Sequence, residues 1–226
     1  MSKLDSFQLE IKTHKRAKRM KLRYDAVKDC AVITMPPRSS ERDAQKFAVR
    51  HISWLEKQRK LAPDRIFLSP GYFIPIEGVP YLIVHKPDNA GLVKQTDFEI
   101  VVGGNKAGFS KRLENYLKKL ARHKIEPLAR EMAQSINQSF RRIQIRDTKS
   151  RWGSCSSSGT LSFSWRLIMC PDEIIDYVVA HEVSHIKEMN HSPAFWRVVD
   201  ELVDDAKISR KWLKTEGQAL MMILPD

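Results

Sequence analysis

Residues 171–191 read PDEIIDYVVAHEVSHIKEMNH, and the way this stretch folds decides the class of the protein. Pro171, Asp172 and Glu173 suit the first turn of a helix, where a missing N–H is harmless and negative charge meets the positive end of the helix dipole. On that helix His181 and His185, four residues apart, stack on one face about 6 Å apart along the axis. Ile174, Tyr177 and Val178 share the face upstream, so it is expected to point inward. Glu182 lies about 100° around the helix, where it can reach a metal-held water without being a ligand. This is the H-E-x-x-H pattern, in which two imidazoles bind zinc and the glutamate serves as general base.

A catalytic zinc takes three protein ligands and keeps one position open. His191 is the natural third, six residues after His185 and past the expected helix end. A chain that turns back near Met189-Asn190 would deliver it, and Asn tolerates the left-handed conformation such turns often use. The spacing of the three histidines is that of the metzincin motif, but Glu188 stands where that motif has Gly, so the turn must be built differently. Glu201 is an alternative third ligand. Cys155 or Cys170 could supply a fourth and turn the site into a structural one. One of Asp200, Glu201, Asp204 and Asp205 could accept a hydrogen bond from a ligand imidazole. Phe195 and Trp196 are expected to pack behind the site and fix the turn.

Working outward, RWGSCSSSGTLSFSWRL (151–167) reads as a hairpin with Ser158-Gly159 at its turn, after a strand in RRIQIRDT (141–148). In it Trp152 packs, Gly153 allows a close approach and Ser154 bonds locally. Cys155 as a nucleophile has no legible His partner, and a small buried thiol is the commoner use. Downstream, Ser192-Pro193 caps a helix reaching about Val203, and a last helix covers about 207–215 with Gly217 as its stop. Upstream, apolar residues from Leu113 to Ile136 recur at three to five positions, predicting one long helix over 110–137 with Pro127 inside it. Before that, FQLEIK, MKLRYD and CAVITMP suggest an antiparallel meander. Ser40 and Asp43 are spaced as a capping box for a helix stopped by Pro63, and YFIPIEG, VPYLIVHK and DFEIVVGG read as further strands. The shift at Gly103-Gly104 suggests a boundary there: a strand-rich domain of residues 1–104 with one helix, then a metal-binding domain of residues 105–226.

Composition narrows the setting. The chain has 226 residues, 42% hydrophobic and 29% charged, enough apolar material for a core and too much for wholesale disorder. Its formal net charge is +12 and its pI about 9.7, which attracts polyanions such as nucleic acid or nucleotides. The segment KTHKRAKRMKLR (12–23) holds seven Lys/Arg in twelve residues and could track phosphates, or could be the wet face of a strand. Three cysteines without CxxC spacing argue against a disulfide framework. No signal peptide or membrane span is legible, so a cytoplasmic protein is expected.

With RWGSCSSSGTLSFSWRLI followed by PDEIIDYVVAHEVSHIKEMNHSPAFW, the chain resembles the YgjP-like metallopeptidase family, relatives of the SprT-like and WLM zinc proteases. A weaker match lies in KRAKRMKLRYD and around Trp54. The resemblance implies an α+β fold, with a zincin-like C-terminal domain of helices and a β-hairpin behind a strand-rich N-terminal one. It implies Zn2+ on His181, His185 and His191, Glu182 as catalytic base, and a peptide or protein substrate. Tyr177 and Arg151 are candidates for contacting the substrate or stabilising the oxyanion. Two other functions use the same residues: a metal-dependent hydrolase of nucleotide phosphoanhydrides, and a nucleic-acid-binding module with a structural metal.

Overall fold

The computed structural model describes residues 6–148 and 150–225, in a mixed α+β fold. The chain forms two compact units, one ending at Arg65 and the other beginning at Ile66.

The first unit has strands β1 (Gln8–Thr13), β2 (Lys21–Asp25) and β3 (Cys30–Met35), then helices α1 (Glu41–Arg50) and α2 (Ile52–Leu61). The sheet is not the expected antiparallel meander: its order is β1-β3-β2, with β1 parallel and β2 antiparallel to β3. The segment CAVITM explains this. It is the one strand apolar on both faces, so it takes the centre, and the Lys- and Arg-bearing strands take the edges. The Ser40–Asp43 capping box forms, with each side chain bonded to the other residue's backbone N–H. The helical stretch is broken at His51, whose backbone leaves helical geometry, and Ala62 ends α2 just before Pro63.

The second unit opens with β4 (Ile66–Phe67), β5 (Phe73–Ile76), β6 (Val79–Lys86), β7 (Val93–Gln95) and β8 (Glu99–Gly103). The last four form one sheet in the order β5-β6-β8-β7. Next come α3 (Phe109–Ser135), β9 (Arg142–Arg146), β10 (Gly153–Cys155), β11 (Thr160–Ser164) and α4 (Asp172–Lys187). The chain closes with α5 (Pro193–Leu202), α6 (Ala206–Lys214), α7 (Gly217–Met221) and β12 (Ile223–Leu224). Gly217 begins α7 instead of ending the chain's helices, and the tail packs: β12 pairs with β4, and Ile223 is 2% exposed.

The division at Arg65/Ile66, instead of near residue 105, has a physical cause. Ile74, Ile83, Ile100 and Val102 of the sheet share one continuous apolar core with Leu113, Leu117, Ile125 and Ala129 of α3 and with the buried face of α4. Gly103-Gly104 is therefore a turn inside a unit, although its composition resembles a linker.

Three elements position the site. α4 is enclosed, with Ile174, Ile175, Val178, Val179 and Val183 all buried. β10 is the edge strand of the sheet β10-β11-β9, paired to β11 with Ser154 opposite Ser162. α5 is started by Ser192, whose hydroxyl oxygen accepts from the Phe195 N–H, with Pro193 in the first turn.

Candidate metal centre

α4 brings His181 and His185 onto one face, and the chain then turns so that His191 joins them. One ring nitrogen from each lies within 4.8 Å of the others, and the Nε2 atoms of His181 and His191 are 3.1 Å apart. Nitrogens bound at about 2.05 Å to one tetrahedral zinc would be about 3.3 Å apart, so the spacing suits a shared ion. The remaining ring nitrogens already have partners. His185 Nδ1 is 3.1 Å from the Glu188 carbonyl oxygen, and His181 Nδ1 is 3.4 Å from the Tyr177 hydroxyl. The carbonyl, which only accepts, holds the His185 proton on Nδ1, and both contacts turn Nε2 toward the centre. Burial, aided by the neighbouring His185, pushes His181 down to about 4, and burial lowers His185 as well, so both present neutral imidazole at neutral pH. The donor set fits a borderline ion such as zinc.

The turn between His185 and His191 is not made at a left-handed Asn190. The described residues outside glycine with positive φ are Asp29, Glu77, Asn137 and Asp205. Glu188 instead leaves the helix in an extended conformation, which frees its carbonyl for His185, and Ser192 N–H bonds the Asn190 carbonyl at 2.7 Å. Thus the residue that replaces the metzincin glycine orients a ligand through its backbone.

Aromatic rings close the back of the triad. Phe195, fully buried, stands 5.0, 4.5 and 4.8 Å from the rings of His181, His185 and His191. Trp196 lies 5.9 Å from His181 and from His191, with the Arg210 guanidinium 4.4 Å over its ring. Arg210 was not legible as a neighbour of the site, since its cue is a fold contact between α4 and α6.

Glu182 is 6% exposed and sits against β10. A Cβ at Gly153 would come within 2.5 Å of its Cγ, 2.7 Å of its Oε1 and 2.8 Å of its Cδ, so only glycine leaves this carboxylate its place. Burial pushes Glu182 up to about 8, against the pull of Arg151 and of a Cys155 backbone hydrogen bond. A buried carboxylate with so little compensating charge fits a centre that receives a cation.

The other sequence-based candidates fall outside the triad. Arg151 is exposed at the start of the hairpin and acts on Glu182 electrostatically. Tyr177 stands behind His181, on the side away from His191 Nε2, with its hydroxyl on Nδ1. Among the described residues neither Cys155, Cys170 nor Glu201 belongs to a metal-competent group with the histidines, and all three cysteines are free. Burial pushes the Cys155 thiol up to about 11, and Glu182 adds to the shift, which removes the thiolate a nucleophile needs.

A buried H-E-x-x-H helix, a third histidine delivered by the following turn and a hairpin strand against the glutamate define the class: a metallopeptidase. The chain matches the model of the YgjP-like metallopeptidase domain over residues 18–216, and it belongs to that family. Among solved structures it is similar to the metallopeptidase zymogen of Pyrococcus abyssi abylysin, at 24% identity and a TM-score of 0.37, over 41% of this chain and 95% of that one. It is likewise similar to the zymogen of Methanocaldococcus jannaschii jannalysin, at 24% identity and a TM-score of 0.36, over 42% of this chain and 95% of that one. No curated protein matches. Among the described residues no helix is long and apolar enough to cross a membrane.

Proposed function

We propose that the chain is a zinc-dependent peptidase that hydrolyses peptide bonds in peptide or protein substrates. The observation that carries the reading is the convergence of His181, His185 and His191 beside the buried carboxylate of Glu182. The three histidines would hold the zinc through Nε2, the nitrogen that Tyr177 and the Glu188 carbonyl leave free. Zinc, when bound, supplies the Lewis acidity that activates water and polarises the scissile carbonyl.

The chain's own residues then handle the proton and the peptide. Glu182 takes the proton of the attacking water on a carboxylate oxygen and passes it to the leaving amine nitrogen. Gly153 gives that carboxylate room, and the Cys155 N–H holds it. Apart from the Cys155 N–H, which Glu182 takes, the outer edge of β10 would offer its backbone groups to an extended substrate pairing as an added strand. Arg151, exposed at the head of that strand, would contact the substrate. Tyr177, with its hydroxyl on Nδ1, would orient His181.

Wild type and Glu182→Gln should be assayed against an unstructured protein, a peptide library and a nucleotide panel, with bound metal measured in both. About one zinc per chain and proteolysis lost in the variant is the expected result. Proteolysis equal in the two proteins, or activity confined to nucleotides, would overturn the reading.

A further inference from the structure

The two units divide the protein's charge unequally. Residues 1–65 hold 17 Lys/Arg against 8 Asp/Glu, a net +9, while residues 66–226 hold 22 against 19, a net +3. A quarter of the chain thus carries three quarters of the excess.

Within the first unit this charge is concentrated. Between Glu10 and Asp25 there is no acidic residue and there are seven Lys/Arg, all exposed. Ala31, Ile33 and Met35 of β3 cluster with residues of α1 and α2, so strand alternation turns Cys30, Val32 and Thr34 to the opposite face. Register carries Lys12 and Lys21 to either side of Thr34 on that face, and Glu10 and Arg23 to either side of Val32. Lys12 and Lys21 are therefore two strand spacings apart, about 10 Å. The β1–β2 connection adds Lys15, Arg16, Lys18 and Arg19 at the same end of the sheet.

Three acids of the first unit are already engaged with other cations. Glu10 pairs with Lys12 and Lys28, Asp25 with Arg23, and Asp29 with Arg59 and Arg65. None of them pairs with Lys15, Arg16, Lys18, Arg19 or Lys21. Like charges packed this closely repel one another, and a surface shaped by stability alone would intersperse the signs. Cations spread over 10 Å or more match a chain of phosphates better than a single small anion. Residues 11–23 contain no Phe, Tyr or Trp, and His14 is their single ring, too little for a platform that stacks successive unpaired bases or for an aromatic anchor in a bilayer.

We propose that this face of the first unit, with the β1–β2 connection, binds the phosphate backbone of duplex nucleic acid without reading sequence. Binding engages about five phosphates, through Lys15, Arg16, Lys18, Arg19 and Lys21. It should fall with salt at a logarithmic slope of about −4.5, roughly a 500-fold loss between 50 and 200 mM.

The test is fluorescence anisotropy of the full-length, zinc-loaded protein with a labelled mixed-sequence 20-bp duplex across that salt range. One variant carries Lys15→Glu, Arg16→Glu, Lys18→Glu and Arg19→Glu. A charge-matched variant carries Arg42→Glu, Lys46→Glu, Arg50→Glu and Lys57→Glu on the helices. The expected result is a loss of about 100-fold or more in the first and under 5-fold in the second. If circular dichroism shows the first variant misfolded, the four Lys/Arg→Gln changes replace it, with a loss of about 10-fold or more expected. Equal losses in both variants, salt-independent binding, or binding to phosphatidylserine vesicles with none to duplex would each overturn the proposal.

Discussion

The two units treat polar groups in opposite ways. Every buried polar or charged residue among those described, Glu114, Ser164, Arg166, Glu182, Ser184 and Ser209, lies in the second unit. The described residues of the first unit, whose net charge is +9, include none. A charge taken out of water must be partnered or it is costly, so each buried one in the second unit is held by groups placed around it, within one helix for Glu114 and from several elements for Arg166 and Glu182. Glu182 has Gly153 and the Cys155 N–H, Arg166 has Asp147 and two carbonyls, and Glu114 has Lys111 and Lys118. The first unit keeps a plain apolar interior and places its chemistry outside. Substitutions should therefore be felt steeply in one unit and shallowly in the other.

The steepest is Glu182→Gln. If Glu182 is the general base proposed above, its loss should lower kcat/KM by roughly 10³- to 10⁴-fold, about 4–5.5 kcal/mol, with zinc content unchanged by elemental analysis. Loss of zinc in this variant would mean that Glu182 is a ligand and the assignment of roles is wrong.

Next comes Arg166, 1% exposed. Its Nε donates to the Ile223 carbonyl at 2.7 Å, its Nη1 to Asp147 and the Thr148 carbonyl, and it lies 4.3 Å over Trp165. It ties the ends of β9, β11 and β12 together. Arg166→Ala should cost about 3–5 kcal/mol by urea denaturation, because it strands its partners, and Arg166→Met should recover part of that. Burial pushes Asp147 up, but Arg166 outweighs it and holds the carboxyl below its usual value. A depressed carboxylate stabilises fully above its unfolded pKa of about 3.9 and loses that contribution as pH falls through its folded pKa. Wild type should thus lose stability in that acid window, and Asp147→Asn should flatten the slope there.

Gly153→Ala tests the fit around Glu182 directly. A methyl 2.5–2.8 Å from the Glu182 side chain must move it, and a displacement near 1 Å costs about 100-fold in rate. Zinc content and melting temperature should hold while kcat falls. An active Gly153→Ala enzyme would show that the hairpin does not set the position of the base.

These contrasts explain what could be read from the chain alone. The grouping of the three histidines, the capping box and the helix starts at Pro171 and Ser192 were legible because each is a local pattern with a fixed period. The expected role of Phe195 and Trp196 behind the site also matches their ring contacts with the histidines. Three features were not legible because they depend on residues far apart. The order β1-β3-β2 turns on which strand is apolar on both faces. The division at Arg65/Ile66 turns on which core Ile83 and Ile100 join. The partner of His185 is a backbone carbonyl, and no side-chain pattern announces it. Gly153 lies between these cases: a glycine in a strand signalled a close approach, but only the fold names Glu182 as what approaches.

The shallow end of the comparison lies in the first unit. Ser40→Ala should cost about 1 kcal/mol, since it removes one half of a capping box on an exposed helix end. Trp54, the single tryptophan of residues 1–65, can report that loss by fluorescence in a protein whose other four tryptophans are replaced by Phe. Neutralising Lys18 and Arg19 to Gln should shift stability by under about 0.5 kcal/mol, and in the stabilising direction, because two uncompensated cations leave a crowded patch. The same pair should weaken duplex binding by several-fold. A surface held for folding would show the reverse: a loss of stability with binding untouched. The sign of the stability change therefore separates a ligand-binding patch from a merely solvated one, even where its magnitude is small.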